Sequence, residues 1–456
     1  MTRGSFCGVA LALVLGGPAA GFAQPGDAGD ANLETGWSFD CGFELRGGYR
    51  DSDLNRFESP FPFDPSMLPL GETKGFLETV DAGSHAEVSV IRLALDAAYG
   101  RWFGAGLRVD VIDLYDRNPT SEDRKVDVDE LWVRFGEETE PARVPASPGF
   151  YFKLGKIPAF ERQDDRHLES YGLVSTAFNR FEDLGLEAGV DLGRHFYLKT
   201  SITQGNPLFI RDPNALAGDN GIPELLQQNP DPDLKSGIVI LYDSEVEEFD
   251  GENLEVGVGL GGRFESAGGQ VGAEVMLWGR DRELAEGVDL HGTFYGGDLD
   301  LLRGPLNMFP LPITDTDKRE LGLNLWLYAG DFSLFGQLVD QEVAGLDRSG
   351  FEVEAAWRFD LPLFWAVRGR QILPYLQPAV RYSKLDPDFE GGNLQFPAVS
   401  IRWKWEKLDL GLRLGLARGL DLTLEYADNS FVLGSGAKGE NNEFLTTLRW
   451  RFSKGG

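Results

Sequence analysis

Apolar and polar side chains alternate with a period of two along most of the chain, and glycines or short polar stretches separate the alternating segments. Leucine occupies every second position of segment 408–416, where Asp409 and Arg413 lie between the leucines. A period of two is typical of β-strands, whose successive side chains point to opposite faces. Uncharged apolar faces recur in segments 39–50, 184–192, 254–264, 321–327 and 420–426. The pattern therefore predicts an all-β, antiparallel protein.

Sixteen strands are predicted from this alternation. They lie at about 39–50, 84–99, 102–115, 126–135, 150–157, 183–192, 195–204, 253–264, 270–280, 319–329, 332–342, 350–360, 372–384, 404–416, 420–428 and 443–452. Tight connections such as Gly100-Arg101 and Gly330-Asp331 alternate with long ones such as 205–252. A transmembrane barrel has short turns at one rim and long loops at the other, whereas a soluble β-sandwich has no reason to follow this rule.

Two segments depart from the simple alternation. Trp403 and Trp405 lie on the opposite phase from the leucines of 408–416, which suggests a bulge or a separate strand over 397–405 and hence eighteen strands. Asp127 and Asp129 fall in phase with Leu131 and the apolar residues that follow it, so we expect that strand to begin outside the bilayer. The predicted fold is a transmembrane antiparallel up-and-down β-barrel over 39–452, with about sixteen strands and eighteen as the alternative.

Energetics favour a membrane barrel over a sandwich. A Lys or Arg on the lipid-facing side near the bilayer centre costs about 2–4 kcal/mol, so a barrel keeps one face of every strand free of charge. The segments follow this rule. Aromatic residues gather at strand ends, where membrane interfaces favour them. They are Tyr99, Trp102 and Phe103 at one turn, and Trp357, Phe359, Phe364 and Trp365 at another.

The N-terminus has the features of a secretory signal peptide. Arg3 is followed by a short apolar stretch over 9–15, and small residues precede a cleavage site after Ala23. We therefore predict a signal peptide over 1–23, a periplasmic segment over 24–38 and a C-terminal tail over 453–456. An exported barrel belongs in the outer membrane of a Gram-negative bacterium, in contact with lipid and lipopolysaccharide.

Composition and charge exclude several classes of protein. Hydrophobic residues at 42% and aromatic residues at 12% exclude a disordered chain. The 43 Lys and Arg residues against 73 Asp and Glu residues give a formal charge of −30, which repels phosphate backbones and argues against nucleic-acid binding. Of two cysteines, only Cys41 would remain after cleavage, so no intramolecular disulfide is expected.

Signals for catalysis, metals and cofactors are weak. The four histidines, His85, His167, His195 and His291, form no H-x-x-x-H pair, and Ser84 beside His85 points to the opposite strand face. The glycine-rich run at 257–262 matches a dinucleotide-binding pattern but lies within a predicted strand without a following helix. We therefore predict no enzyme, no metal site and no cofactor.

A resemblance to a known family rests on three stretches. They are Phe152-Lys-Leu-Gly-Lys-Ile-Pro-Ala-Phe-Glu161, Arg180-Phe-Glu-Asp-Leu-Gly-Leu-Glu-Ala-Gly-Val-Asp-Leu-Gly193 and Gln204-Gly-Asn-Pro207. Together, over about residues 126–210, they are similar to outer-membrane porins related to the phosphate-selective porin O/P family. The resemblance implies a sixteen-stranded channel that assembles as a homotrimer. Phosphate selectivity is not carried over, because the predicted lumen face mixes arginines with carboxylates.

The resemblance also predicts where the channel is narrowest. In general porins the corresponding long loop folds inward, so we expect loop 158–182 to constrict the channel. The candidate constriction residues are Glu161, Arg162, Asp164, Asp165 and Arg166 on the loop, with Arg108 and Arg134 as partners on the barrel wall. Juxtaposed arginines and carboxylates across a constriction orient or select solutes. The alternative is a solvated loop surface, which charge clusters usually are.

The function predicted from the sequence is passive diffusion of small hydrophilic solutes or ions through a water-filled barrel. The net negative charge favours cations in the vestibule, while buried arginines leave room for a local anion site. A substrate-specific channel, for an anion or for export of an acidic polymer, is the closer alternative. A barrel that anchors an enzyme is the more remote one.

Overall fold

Sixteen long antiparallel strands form one closed barrel in the computed structural model, and they are numbered β1 to β16 in chain order. The strands are Trp37–Ser52 (β1), Gly83–Tyr99 (β2), Phe103–Ile112 (β3), Asp127–Gly136 (β4), Phe150–Pro158 (β5), Glu182–Asp191 (β6), Phe196–Thr203 (β7), Glu255–Glu265 (β8), Val271–Glu283 (β9), Asp317–Ala329 (β10), Phe332–Val343 (β11), Leu346–Trp357 (β12), Tyr375–Pro387 (β13), Lys404–Ala417 (β14), Leu420–Val432 (β15) and Glu443–Gly455 (β16). Each strand pairs with the next, and β16 pairs with β1, which closes the sheet. The predicted barrel of sixteen strands is confirmed.

Short elements accompany the barrel. Phe359–Asp360 pairs with β13 and Lys438–Glu440 pairs with β15, which adds two short strands to the main sheet. The other short elements are the strands Arg56–Glu58, Phe76–Glu78, Leu208–Ile210, Ile240–Asp243, Leu290–Phe294, Gly297–Asp298, Ala366–Val367 and Arg370–Gln371, and the helix α1, Leu173–Ala177. No helix in the part of the chain that the structure describes is long and apolar enough to cross a membrane.

The structure describes residues 36–53, 56–58, 76–78, 83–112, 126–163, 166–178, 182–205, 208–210, 240–243, 253–284, 290–294, 297–298, 315–361, 366–367, 370–388, 403–432, 436–440 and 442–455. The predicted signal peptide and its cleavage site lie outside these residues and stay predictions. Phe364 and Trp365 lie outside them as well.

The two faces of the barrel wall differ sharply in chemistry. Leu260, Leu277 and Leu321 point outward and are 53%, 52% and 57% exposed, whereas Glu255 and Arg280, on two of the same strands, point inward and are buried. A soluble protein buries its leucines and exposes its charges, so this distribution is reversed. The apolar rows face the surroundings and the charged rows face the lumen, as in a barrel that crosses a membrane.

The connections define two rims. Tight turns at Gly330-Asp331 and Arg418-Gly419 lie at what we call the short-turn rim, and long connections such as 204–254 start and end at the opposite, long-loop rim. The long-loop rim has one tight connection among the described residues, at Ala344 and Gly345, which adopt positive φ angles of 52° and 82°. Strand β12 therefore begins at Leu346, earlier than the predicted start at 350.

A β-bulge explains the phase of Asp129. Arg108 pairs with Glu130, but the next residue, Val109, pairs with Val128, so Asp129 is an extra residue in β4. The bulge turns its carboxylate into the lumen, where it accepts a hydrogen bond from Arg92 at 2.9 Å. The bulge accounts for the phase of Asp129 within the strand, so this phase does not require the strand to begin outside the bilayer, and that expectation stays a prediction.

The tryptophans that precede the leucines of β14 need neither a bulge nor another strand. Trp405 belongs to β14 and continues its inward row, next to Trp403. Both rings lie against Phe431, with ring centroids 4.9 and 4.7 Å away, and all three side chains are buried. The alternative of a separate strand is thus wrong at Trp405, because these aromatic rings pack inside the barrel. Residues 397–402 lie outside the described residues.

Both ends of the barrel extend past the predicted bounds. Strand β1 begins at Trp37, which pairs with Tyr99, and β16 continues to Gly455, which pairs with Asp40. The boundaries at 39 and 452 are corrected accordingly, because the strand ladder continues through residues that the sequence interpretation assigned to the flanking segments. Trp37 also contacts Tyr99 and Phe103, with ring centroids 5.4 and 5.6 Å apart, within an aromatic group at the short-turn rim.

Candidate channel constriction

The connection between β5 and β6 lies inside the barrel where it is described. We call residues 159–163 and 166–178 the inner segment. At its start, the Phe160 ring packs against β8 where glycines leave space: a Cβ atom at Gly259 would lie 2.9 Å from the ring, and one at Gly257 3.2 Å from it. The glycines of the lumen-facing row of β8 thus make room for a side chain of the inner segment.

Glu161 fixes the first turn of the inner segment to the barrel wall. Its side chain is fully buried, and Arg280 donates two hydrogen bonds to its carboxylate, at 2.8 and 2.9 Å. Asn324 and Gln337 donate to its backbone carbonyl at 2.6 and 3.1 Å. A buried carboxylate needs such donors to offset its loss of water. Glu161, predicted at the constriction, is therefore an anchor of the inner segment instead of a water-facing group.

His167 forms the second attachment. Its backbone N–H donates to Glu354 Oε1 at 2.8 Å, and its ring Nδ1 lies 3.0 Å from the same oxygen. On the other side of the ring, Nε2 lies 3.2 Å from the Ser333 hydroxyl. The sequence interpretation considered only Ser84 as a partner for a histidine and missed this contact, which joins residues 166 positions apart.

The order serine, histidine, carboxylate is that of a serine-hydrolase triad. The cavity beside it is lined by residues that include Gln163, Trp326 and Phe335 and has a volume of about 10 Å³. That volume holds about one water molecule. The contacts of His167 with Glu354 and Ser333 fasten the inner segment to β12 and β11.

Glu169 meets three arginines of the wall. Its carboxylate lies 3.2 Å from Arg413, 3.3 Å from Arg449 and 3.6 Å from Arg46. Burial alone would raise the pKa of Glu169, but the three guanidinium groups outweigh it and lower the pKa to about 2. The carboxylate is thus ionised at neutral pH and ties the inner segment to β14, β16 and β1.

The end of the inner segment packs on β12 and β13. The backbone N–H of Val174, at the start of α1, donates to Glu352 at 3.1 Å, and that of Leu173 donates to the Ser383 hydroxyl at 3.3 Å. Phe178 follows α1, with the Arg348 guanidinium 4.5 Å from its ring centroid. These contacts satisfy free N–H groups of the helix start. The inner segment thereby lines the lumen from β8 through β16.

The lumen wall of β1 to β4 is less covered. The side chains of Arg46, Arg92, Arg108 and Arg134 are 20%, 32%, 25% and 23% exposed. By contrast, the Arg381 side chain, beneath the inner segment, is fully buried. The more open part of the lumen therefore runs between the inner segment and these four strands.

Of the two predicted wall partners, Arg108 binds Asp96 at 3.0 Å, and Arg134 lies 3.8 Å from Glu138. Both face the open part of the lumen. Arg92 was missed, although its inward phase follows from the alternation between Ile91 and Leu93. It makes two hydrogen bonds to Asp110, at 2.7 and 2.6 Å.

The predicted constriction residues of loop 158–182 have different partners in the structure. Arg162 donates to Glu130 at 3.1 Å and also binds Glu182, so it links the inner segment to β4 and β6. Arg166 stacks on Tyr171, with its guanidinium 3.9 Å from the ring centroid. Asp164 and Asp165 lie outside the described residues.

Three carboxylates converge beside Arg162. Oxygens of Asp129, Glu130 and Glu182 lie within 4.8 Å of one another, a spacing that would suit a divalent cation. Arg162 already contacts two of them and Arg92 the third. The group therefore acts as the acceptor side of an ion-pair network.

The connection between β4 and β5 folds across the short-turn rim. We call residues 137–149 the rim segment. The N–H of the fully buried Ala142 donates to Glu274 at 2.7 Å, and Arg143 and the N–H of Val144 bind Glu265 at 2.9 and 3.0 Å. The rim segment crosses the short-turn rim to reach β8 and β9, and it is therefore longer than the tight turns of this rim.

No protein-family model and no curated protein sequence matches the chain. Among solved structures, the outer-membrane channel DcaP of Acinetobacter baumannii matches 92% of this chain and 98% of that chain, with a TM-score of 0.51 and 11% identity. OprB of Pseudomonas putida matches 92% of this chain and 95% of its own, with a TM-score of 0.48 and 10% identity. At such identities a likeness concerns the fold alone. The fold of the chain is that of a sixteen-stranded outer-membrane channel.

Proposed function

We propose that the protein is a porin-type channel of the Gram-negative outer membrane that lets small hydrophilic solutes or ions diffuse passively. One observation carries the proposal: a closed barrel with an apolar outside encloses a charged lumen that the inner segment enters without covering all of the charged side chains of the wall. Partly exposed charged groups remain along β1 to β4, where Arg92 is 32% exposed. Lipid and lipopolysaccharide would surround the apolar face.

Passive passage follows from this arrangement. A sixteen-stranded barrel is wide enough to leave an aqueous channel, and an inward-folded segment narrows it. Charged groups along the open wall replace part of the hydration shell of a polar solute. We place the constriction between the inner segment, at Arg162 and Arg166, and the wall at Arg108 and Arg134. No cofactor or energy source is required.

A modest cation preference is proposed for the channel. The net charge of −30 concentrates cations near the openings. Within the lumen, acids and bases are paired, as for Arg108 with Asp96 and for Arg92 with Asp110. Paired charges largely cancel at a distance, so the preference should be small.

An anion-selective, substrate-specific channel is the second candidate. The arginine row of the open wall, Arg46, Arg92, Arg108 and Arg134, favours it. Two narrower forms of this candidate are a phosphate channel specifically related to the phosphate-selective porins and a channel that exports an acidic polymer. The sign of the reversal potential in a salt gradient distinguishes it from the first candidate.

Two further parts of the proposal have their own tests. We propose a homotrimer on the sequence resemblance, and cross-linking of membrane-embedded protein should yield a trimer band.

We propose no enzymatic activity, since the cavity at Ser333 and His167 has room for about one water only. Labelling of Ser333 by a serine-reactive fluorophosphonate would favour the enzyme alternative.

The deciding experiment is electrical. Purified, folded protein in a planar bilayer should give stepwise increases of conductance, while the same preparation after heat denaturation should give none. A folded, heat-modifiable barrel that produces no steps would contradict the proposal.

A further inference from the structure

Three cationic side chains of the lumen wall meet near the short-turn rim. Arg134 on β4 pairs directly with Lys153 on β5, and Lys199 projects from β7 into the same region. Two aromatic rings flank them: the Lys153 ammonium lies 5.3 Å from the Trp132 ring centroid, and the Lys199 ammonium lies 5.7 Å from that of Tyr151. Cationic groups beside aromatic faces suit an anion that carries an apolar body.

The carboxylate of Glu138 occupies the centre of this cluster. It lies 2.8 Å from Lys153, 3.5 Å from Lys199 and 3.8 Å from Arg134. Burial alone would raise the pKa of Glu138, but the neighbouring cations lower it to about 2, so the group is ionised at neutral pH. Glu138 belongs to the rim segment and not to the barrel wall, so the wall itself presents the cationic cluster.

The charge balance of the wall depends on Glu138. Glu187, opposite Lys153 in the strand register, is the other carboxylate near the two lysines, and it also accepts a hydrogen bond from Tyr151 at 2.5 Å. Without Glu138, the three cationic groups would keep Glu187 and, beside Lys199, Glu274 as their nearby carboxylates. Solvent reaches the cluster, since the side chains of Arg134 and Glu138 are 23% and 21% exposed.

We propose that Arg134, Lys153 and Lys199 form a binding station for small organic carboxylates, and that Glu138 is a tethered competitor that keeps their residence short. The inference rests on the proposed channel function and deepens it. A tethered group competes at a high effective concentration. Rapid conduction requires a site that attracts the solute without retaining it, and an internal competitor meets that requirement.

The test compares Glu138→Gln with Glu140→Gln, a matched change at an exposed acid of the same rim segment. Benzoate is added to single channels in potassium chloride, and the concentration that halves the current is measured. In Glu138→Gln this concentration should fall about tenfold, the effect of one charge-assisted hydrogen bond, and the reversal potential should shift toward anions. Glu140→Gln should behave as the wild type.

A second variant locates the effect. Adding Lys153→Gln to Glu138→Gln should return the blocking concentration to the wild-type value or above, and persistence of the stronger block would overturn the assignment. Wild-type channels that conduct but show the same block as Glu138→Gln would overturn this inference alone. A wild-type barrel without conductance would overturn the channel proposal itself, and this inference with it.

Discussion

At the scale of single residues, buried ion pairs decide the shape of the lumen. Glu161 is fully buried, and its carboxylate accepts two hydrogen bonds from Arg280. Breaking a buried pair by removing one partner is costly, because the other charge remains without water or a counterion. The wall and the inner segment are therefore coupled through a few residues whose loss should be visible in conduction.

Glu161→Ala should loosen the start of the inner segment. The change removes two hydrogen bonds of the buried Arg280 and leaves it with Glu255 at 2.8 Å, at a cost of about 3 kcal/mol, the lower end for breaking a buried ion pair. Single-channel recordings should show a larger and noisier conductance than the wild type. Glu406→Ala, at a side chain that is 54% exposed, is the control and should leave the recording unchanged. Indistinguishable traces for the two variants would contradict the anchoring role of Glu161.

The pH dependence of the inner segment follows from Glu169. Because its pKa is lowered from 4.5 to about 2, its ion pairs contribute fully above about pH 4.5 and are lost as the pH falls toward 2. Single-channel conductance should therefore be constant between pH 7 and 5 and become larger and noisier only under more acidic conditions. Glu169→Gln should show the acid-like recording at neutral pH. A transition near pH 6 would contradict this assignment.

At the scale of elements, the inner segment carries the proposed constriction. Arg166 stacks on Tyr171, whose side chain is 43% exposed, so this part of the segment faces the open lumen. Arg166→Glu should shift the reversal potential toward cations more than Glu247→Lys, within the long connection 205–252, shifts it toward anions. Equal shifts of the reversal potential for the two variants would contradict the proposal that the inner segment forms the selectivity filter.

The strands follow from the sequence, whereas the contacts of the inner segment do not. Alternation identifies the lumen face of each strand, which was enough to place Arg108 and Arg134. It does not reveal a bulge such as that at Asp129, since one extra residue shifts the phase without changing the composition. Nor does it show which wall residue meets a folded-in segment: Glu161 and Arg280 are 119 positions apart.

At the scale of the whole molecule, one layer of strands separates an apolar outer surface from a charged interior. Outward leucines such as Leu277 are about half exposed, and inward charges such as Asp409 and Arg381 are fully buried in ion pairs. The buried aromatic cluster also lies inside the barrel, where Trp278, Trp326 and Phe335 pack near the inner segment. The barrel interior is thus partly a packed core and partly the open lumen beside β1 to β4.

The most direct test of the account is cysteine accessibility in conducting channels. In a Cys41→Ser background, Arg108→Cys places a thiol in the open lumen and Leu277→Cys places one on the apolar outside. A charged, membrane-impermeant thiol reagent should reduce the current of Arg108→Cys in discrete steps and leave Leu277→Cys unchanged. An unaffected Arg108→Cys, or equal effects on both variants, would contradict the claim that the charged face lines an aqueous passage.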